Sequence, residues 1–153
     1  LLVAKKFNLI VIEDAAEGLG SSFKNKHVGT FGKVGCLSFN GNKIITTGGG
    51  GAIITNNKKI ANKIHHLVCT AKKKHKWEFD HDEIGYNLRM PSLNAALGLA
   101  QIEKINIFVK AKRKLFENYS KAFKKVNGAK IFKENNFTKS NYWLQTLILD
   151  KKK

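Results

Sequence analysis

Three polar residues stand where buried strands are predicted to end, and their types could carry chemistry. Asp14 follows the apolar run at 9–12, Ser38 lies near the end of the run at 35–39, and Lys43 lies in the next loop. A lysine in a partly apolar pocket can form a Schiff base with a carbonyl compound. A serine hydroxyl can bind a phosphate, and a carboxylate can bind a metal, act as a base or pair with a buried cation.

Each of these residues also has a purely structural interpretation. Asp14 could cap a helix, and Ser38 could bond to neighbouring backbone. Because the chain has many lysines, residue type alone favours a solvent-exposed Lys43. The four glycines at 48–51 permit positive φ and close approach to a ligand. The loop nevertheless lacks the GxxxxGK[ST] and GxGxxG spacings of nucleotide-binding motifs.

Short apolar runs predict the strands that would position these side chains. Three buried strands are predicted at 9–12, 35–39 and 52–55, and a fourth near 142–149. Segment 18–33 is rich in glycine and polar residues, so it is predicted to be a loop. Strands alternating with helices indicate an α/β architecture, in which ligands bind at strand ends.

Apolar residues at helical spacing predict three helices after the third strand. Asn56 or Asn57 would cap the first helix, and Pro91 suits the first turn of the second. The third is predicted to stop at Asn127-Gly128. Its apolar stripe is Phe116, Tyr119, Phe123 and Val126. Its lysines are interpreted as a solvated face: Lys112, Lys121 and Lys125.

The positive charge does not indicate specific nucleic-acid binding. The formal net charge is +17, yet only two of the 28 basic residues, Arg89 and Arg113, are arginine. Arginine is the residue that makes bidentate contacts with phosphates and bases. The lysines are also spread along the whole chain. We therefore expect no specific nucleic-acid partner.

Composition also bears on compartment, membrane and metal. No apolar run approaches the ~20 residues that a membrane-spanning helix needs, so no membrane insertion is expected. Cys36 and Cys69 lack a CxxC spacing, which favours free thiols in the reducing cytoplasm. Both are most simply small buried hydrophobic residues. The histidines show no zinc-binding spacing, and no metal site is expected.

Three longer motifs resemble the DegT/StrS family of sugar aminotransferases. They are VIEDAAE at 11–17, VGTFGKVGCLSFNGNKIITTGGGGAIIT at 28–55 and GYNLRMPSLNAALGLAQIE at 85–103. The resemblance implies an α/β fold, that of fold-type I pyridoxal-phosphate enzymes, with a mixed, mostly parallel sheet and flanking helices. Residues 1–126 would then be the central part of the cofactor-binding large domain and its connecting helices. Residues 127–153 would begin a truncated small C-terminal domain, because family members are considerably longer.

The same resemblance implies a role for each polar residue. Lys43 would attach pyridoxal phosphate as a Schiff base and move the proton between the cofactor and C4 of a sugar. Asp14 would keep the ring nitrogen protonated, Glu17 would approach the ring 3-hydroxyl, and Ser38 would bind the cofactor phosphate. Asn87 would reach the cofactor phosphate of a neighbouring subunit, because the active sites of this family lie at a dimer interface.

Two segments resemble one subgroup, that of the legionaminic-acid and bacillosamine pathways: FNGNKIITTGGGG at 39–51 and HKWEFDHDEIGYN at 75–87. Such enzymes transfer an amino group from glutamate to C4 of a UDP-linked 4-keto-6-deoxy-N-acetylhexosamine. Trp77 and His81 would be candidates for sugar or nucleotide contacts, although Trp77 could equally pack at an interface. Gly49 departs from the acidic residue of many relatives, a change that this subgroup tolerates.

Two other functions compete with the aminotransferase interpretation. The sugar dehydratases of the family carry histidine in place of the lysine, so Lys43 argues against them. A non-catalytic binding or regulatory protein on the same fold would have no need of the complete set Asp14, Ser38 and Lys43. The resemblance therefore favours a pyridoxal-phosphate-dependent sugar aminotransferase that works as a homodimer.

Overall fold

The computed structural model describes residues 1–150 and contains there four helices and eight short strands. The helices are α1 (Leu2–Lys6), α2 (Lys58–Val68), α3 (Ser92–Ile102) and α4 (Ile105–Phe123). The strands are β1 (Ile12–Asp14), β2 (Ser22–Phe23), β3 (Lys26–His27), β4 (Val34–Ser38), β5 (Gly51–Ile54), β6 (Ala129–Ile131), β7 (Thr138–Lys139) and β8 (Leu147–Leu149). The last three residues of the predicted small domain, 151–153, lie outside the described part.

A three-stranded mixed sheet carries the polar residues at its edge. Its strand order is β1-β4-β5, with β1 parallel and β5 antiparallel to β4. Asp14 lies opposite Cys36, and Ser38 follows two residues later on β4. Because side chains alternate along a strand, Asp14 and Ser38 share one face of the sheet. The α/β class with a mixed sheet is confirmed.

The first strand begins later in the chain than predicted. The apolar run at 9–12 is largely an exposed loop, with Leu9 60% and Ile10 77% accessible. Pairing begins only where Ile12 meets Val34, the first residue of β4. The strand bounds predicted from the apolar run were thus wrong, because pairing with β4 determines where β1 begins.

The predicted loop at 18–33 contains a small antiparallel hairpin, β2–β3, so this expectation was incomplete. Lys24 and Asn25 connect its strands with φ of 48° and 62°. Two successive residues of positive φ are typical of the tight turns that match strand twist. Strand β7, more than a hundred residues later, adds to β2 as a third strand. That pairing joins the segment at 138–139 to the loop that follows Asp14.

The helix predictions are confirmed in position, with changes at the termini. Asn57 caps α2 by accepting a hydrogen bond from the Ile60 N–H at 3.0 Å, and Pro91 immediately precedes α3. Helix α4 ends at Phe123, so Val126 of the predicted stripe lies beyond the helix and is 47% exposed. The strand predicted near 142–149 is shorter, because only Leu147–Leu149 pairs, with β6.

The described residues leave much apolar surface uncovered. Their accessible area is 12041 Å², whereas a compact monomer of 17.1 kDa would expose about 7,700 Å². Large side chains such as Ile84 (85%) and Leu93 (83%) are almost fully accessible. Large apolar side chains exposed to this degree are typical of surfaces that pack against further polypeptide. Among residues 1–150, no helix is long and apolar enough to cross a bilayer.

Candidate active site around Lys43

The Lys43 side chain is largely enclosed. Its accessible fraction is 14%, and its Nζ lies 3.7 Å from the Glu17 carboxylate. On another side, the same nitrogen lies 3.9 Å from the centroid of the Trp143 ring. The interpretation of Lys43 as an exposed surface lysine is therefore wrong. An ammonium held between a carboxylate and an aromatic ring is positioned as well as neutralised.

The loop that carries Lys43 is held firmly by helix α3. The Gln101 amide bonds to both the N–H and the carbonyl of Thr46, at 2.9 and 3.0 Å, and the Asn94 amide donates to the Thr47 carbonyl at 2.6 Å. Gly98 lets the helix approach closely, since a Cβ there would lie 2.7 Å from Thr47 Cγ2. The backbone that follows Lys43 is thus fixed by a rigid element, which is the kind of support that a binding or catalytic residue needs.

Three of the four consecutive glycines have a backbone reason to be glycine, and the first is Gly48, whose φ is +81°. Gly50 has φ of +91°, and a Cβ on Gly51 would lie 2.2 Å from the Leu37 carbonyl oxygen. The run therefore folds the loop back onto β4. Gly49, which departs from the acidic residue of many relatives, has open space around its Cα. A side chain would fit there, so the local structure does not require glycine at this position.

Asp14 ends β1 and does not cap a helix. Its Oδ1 accepts a hydrogen bond from the Ala16 N–H at 3.1 Å, within a turn, and the side chain is exposed. The preceding carboxylate, Glu13, lies on the opposite face. It accepts from the backbone N–H groups of Gly29, Phe31 and Gly32 at 2.7, 2.5 and 2.6 Å. Glu13 thus orders the following loop, and Asp14 is left available to a ligand.

The structure brings four of the five predicted site residues to adjoining cavities. Glu17, Ser38 and Lys43 line one narrow cleft, here called the Lys43 cavity, which is too tight to admit a water molecule, and Asp14 and Glu17 line the next cavity. The Ser38 hydroxyl accepts from the Asn40 N–H at a long 3.3 Å, so its own proton remains available. Asn87 lies elsewhere, exposed and bridged to Cys69 at the end of α2.

Two residues at the site were missed by the sequence analysis: Asn141 and Trp143. Both line the Lys43 cavity although they lie about a hundred residues further along the chain. Lys112, interpreted as part of a solvated face, instead donates to the Trp143 carbonyl at 3.2 Å and is half-buried. Spacing in the sequence carries no signal for these contacts, because only tertiary folding brings the segments together.

A charged pair anchors the segment that bears Asn141 and Trp143. Arg113 of α4 bonds to both carboxylate oxygens of Glu134, at 3.0 and 2.6 Å. Glu134 also accepts from the Ser140 N–H at 2.6 Å, and Arg113 donates to the Ser140 carbonyl. The Arg113 hydrogen bond, with help from Ser140, holds the pKa of the Glu134 carboxyl below its usual value.

Replacing Glu134 with glutamine should therefore destabilise the protein in a pH-dependent way. A carboxyl whose folded-state pKa is lowered stabilises the fold above its ordinary pKa, and this contribution is lost as the pH falls through the lowered value. Urea unfolding at neutral pH should show a loss of about 1–3 kcal/mol for Glu134→Gln. At acidic pH the wild type and Glu134→Gln should have similar free energies of unfolding.

The exposed pair Lys114–Glu117 offers a matched control. Its side chains are 65% and 55% accessible, and such pairs contribute about 0–1 kcal/mol. Glu117→Gln should accordingly change the free energy of unfolding little at either pH. Equal losses for Glu134→Gln at neutral and acidic pH would contradict the assigned role of the Glu134 carboxylate.

Away from this site, residues 1–150 contain one group whose side chains could together bind a metal: His66, Asp82 and Glu83. The His66 Nε2 lies 2.6 Å from Asp82 and 3.4 Å from Glu83. Lys63 already pairs with Glu83 at 2.5 Å. The His66 hydrogen bond lowers the pKa of Asp82. These groups form a surface ion-pair network, and the expected absence of a metal site stays a prediction.

The sequence model of the DegT/DnrJ/EryC1/StrS aminotransferase family matches residues 2–153. The chain belongs to this family. The GDP-perosamine synthase of Escherichia coli O157:H7 is a family relative, 40% identical over 146 residues, or 95% of the chain and 39% of the relative. A second relative is the UDP-4-amino-4,6-dideoxy-N-acetyl-beta-L-altrosamine transaminase of Campylobacter jejuni serotype O:23/36, 35% identical over 96% of the chain and 39% of the relative. The chain thus spans about two-fifths of the length of these curated relatives.

Solved structures show that the family fold is present. Helicobacter pylori PseC, an aminotransferase involved in the biosynthesis of pseudoaminic acid, superposes with a TM-score of 0.90 at 28% identity. It covers 98% of the chain, which covers 41% of PseC. The E. coli GDP-4-keto-6-deoxy-D-mannose-3-dehydratase with bound hydrated PLP superposes with a TM-score of 0.86 at 25% identity. The match covers 98% of the chain and 42% of the dehydratase. The expected fold class is confirmed.

The cofactor indicated by the family and this neighbour is pyridoxal phosphate, and the residues present fit it. Its aldehyde needs an amine, which the largely enclosed side chain of Lys43 would supply. Its ring nitrogen needs a carboxylate, which Asp14 would supply from the sheet face that it shares with Ser38. Its phosphate needs hydrogen-bond donors, of which the Ser38 hydroxyl is one. The amine, carboxylate and hydroxyl of these residues thus correspond in type to the aldehyde, ring nitrogen and phosphate of the cofactor.

Proposed function

We propose that the whole protein is a pyridoxal-phosphate-dependent aminotransferase that acts on a nucleotide-linked keto-sugar, with Lys43 as its cofactor lysine. The observation that carries this proposal is the enclosure of Lys43, 14% exposed, beside the strand ends that bear Asp14 and Ser38. A lysine without a function would be expected to be solvent-exposed, because burying its charged ammonium group costs free energy.

Each residue of the site has a definite task in this proposal. Pyridoxal phosphate, when bound, would supply an electron sink for the negative charge that develops at the reacting carbon during amino transfer. Lys43 holds the cofactor covalently and then carries the proton to and from the reacting carbon. Asp14 keeps the ring nitrogen charged, Glu17 approaches the ring hydroxyl, and Ser38 binds the phosphate. The exchange is balanced, since the sugar ketone gains the amine that glutamate loses on becoming a 2-oxo acid.

The proposed substrates are L-glutamate and a UDP-linked 4-keto-6-deoxy-N-acetylhexosamine. The segments at 39–51 and 75–87 support the UDP-linked sugar by their resemblance to one subgroup, and a transaminase of a UDP-linked amino sugar is 35% identical to the chain. The Escherichia coli relative, 40% identical, is named for a GDP-linked product. The nucleotide is therefore the point that the experiment must test.

The proposal extends to assembly, domains and compartment. Asn87 is exposed and does not line the Lys43 cavity, which supports a role in the site of a second subunit of a homodimer. Residues 1–126 are proposed to belong to the large domain, and the segment from residue 127 onward to begin the small domain. The free thiols Cys36 and Cys69 are compatible with the reducing cytoplasm as the place of action.

The test is amination of defined keto-sugars by the full-length protein. UDP-linked and GDP-linked 4-keto-6-deoxy sugars would be incubated with glutamate, and the amino-sugar and 2-oxoglutarate would be quantified by mass spectrometry. We expect the UDP-linked N-acetylated sugar to be aminated with one 2-oxoglutarate formed per amine. Preference for the GDP-linked sugar would overturn the substrate assignment and leave the aminotransferase proposal standing. Failure of the folded, cofactor-supplied protein on every keto-sugar would contradict the proposed activity itself.

A further inference from the structure

Trp143 contacts Lys43 through two different groups. The face of its ring lies 3.9 Å from the Lys43 Nζ. Its indole N–H donates to the carbonyl of Asn42, the residue immediately before Lys43. One side chain thus contacts both the charged end of the lysine and the backbone that carries it. This double contact constrains where the amine can lie.

Trp143 is itself held at its backbone. Its N–H donates to the Asn141 side-chain oxygen at 2.8 Å, and its carbonyl accepts from Lys112 at 3.2 Å. With the indole N–H bonded to the Asn42 carbonyl, three hydrogen bonds fix this residue. The two backbone bonds fix the chain at Trp143, and rotation of the ring away from Lys43 would break the bond of the indole N–H to the Asn42 carbonyl.

Asn141 ties the same segment to the loop that bears Glu17. It is 3% exposed, and its side-chain amide donates to the carbonyls of Glu17 and Leu19 at 2.8 and 2.9 Å. Its backbone N–H bonds to the Ser21 hydroxyl at 2.9 Å. The segment that bears Trp143 thus joins the loop after β1 to the loop after β4. The two partners of the Lys43 ammonium, Glu17 and Trp143, are set by one network.

We propose that Trp143 is a positioning residue for Lys43, which holds the amine in place through its ring face and its indole N–H. This inference rests on the proposed function, in which Lys43 attaches the cofactor. A free lysine chain samples many rotamers, and attachment requires the amine to meet the aldehyde in one orientation. Holding the amine at the cavity before the cofactor arrives favours that orientation.

Two substitutions separate the contributions of the ring and the N–H. Trp143→Phe keeps a ring face and loses the bond to Asn42, whereas Trp143→Leu loses both. In the full-length protein stripped of cofactor, the rate of pyridoxal phosphate attachment would be followed by the visible absorbance that it produces. We expect Trp143→Leu to slow attachment about tenfold, in the range of one desolvated cation–π contact, and Trp143→Phe to recover most of the rate. In Trp143→Leu the kcat should fall together with the attachment rate, while the KM for the sugar should change less.

Phe137 provides a matched control. Its ring also lies near a lysine ammonium, that of Lys24 at 5.6 Å, but Phe137 does not line the Lys43 cavity. Phe137→Leu should attach cofactor at the wild-type rate. Unfolding curves would confirm that each variant is folded. Equal attachment rates for folded Trp143→Leu and Phe137→Leu would overturn the proposal.

A cofactor-free measurement distinguishes this proposal from the proposed function. Acetylation of the cofactor-free protein by a small amine reagent, mapped by mass spectrometry, reports how well Lys43 is held and shielded. Acetylation of Lys43 should rise several-fold in Trp143→Leu and stay unchanged in Phe137→Leu; an unchanged rate in Trp143→Leu would contradict the proposal. Attachment of cofactor to another lysine in the wild type would overturn the proposed function, while acetylation would still decide whether Trp143 holds the Lys43 amine.

Discussion

Replacing Lys43 with alanine should abolish covalent cofactor binding and lower turnover by roughly four orders of magnitude or more, since attachment and proton transfer are both lost. The visible absorbance of the bound cofactor should disappear, and added pyridoxal phosphate should not restore it. The measurements are an absorbance spectrum and the rate of amino-sugar formation in the full-length protein. No other lysine is expected to substitute, because the enclosure by Glu17 and Trp143 is specific to Lys43.

Lys59→Ala is the control for this substitution. Lys59 is an exposed residue of α2, and alanine is a good helix former at such a position. The Lys59→Ala protein should keep both colour and rate. A Lys43→Ala protein that retains the absorbance and a large share of the rate would show that another residue holds the cofactor.

Asparagine in place of Asp14 should separate cofactor binding from catalysis. The amide keeps a side-chain oxygen for the Ala16 N–H, so the turn should survive. It cannot stabilise a positive charge on the ring nitrogen, which weakens the electron sink. We expect part of the colour to remain while kcat falls roughly 10²–10³-fold, as when one preorganised electrostatic contact is removed.

The exposed carboxylate Asp150 serves as a control, and Asp150→Asn should leave kcat unchanged. The same amounts of bound cofactor in wild type and Asp14→Asn would place the whole effect in the chemical step. An Asp14→Asn protein with near wild-type kcat would show that the carboxylate does not face the ring nitrogen, and the assignment of Asp14 would be wrong.

Local sequence pattern was sufficient to locate the edge of the sheet where the site lies. Ser38 ends β4, which the apolar run at 35–39 predicts, and Lys43 follows in the next loop. Asp14 follows the apolar run at 9–12, although only Ile12 of that run lies in β1. The alternation of side chains along a strand also explains why the adjacent carboxylates Glu13 and Asp14 lie on opposite faces of the sheet. Glu13 turns to the backbone of 29–32, and Asp14 turns to the face that Ser38 shares. The face on which each side chain lies follows from its position along the strand, so it can be predicted from the sequence.

The surroundings of Lys43 could not be predicted in this way. Whether a lysine is enclosed depends on what packs over it, and here that is Trp143, a hundred positions later. The segment 140–146 was predicted in part as a strand, but Tyr142 adopts φ of +47° and side-chain hydrogen bonds replace strand pairing. Lys112 was wrongly predicted to be solvent-exposed, because its contact with Trp143 also joins distant parts of the chain. Long-range contacts of this kind leave no periodic signal.

The most direct test of the central claim is reduction of the cofactor-loaded full-length protein with borohydride, followed by peptide mass mapping. Reduction makes the link between lysine and pyridoxal phosphate permanent, so the modified residue can be read from the peptide mass. We predict a single pyridoxyl adduct, on the peptide that contains Lys43. An adduct on any other lysine, or no adduct on the folded and cofactor-supplied protein, would contradict the assignment of Lys43 as the residue that holds the cofactor.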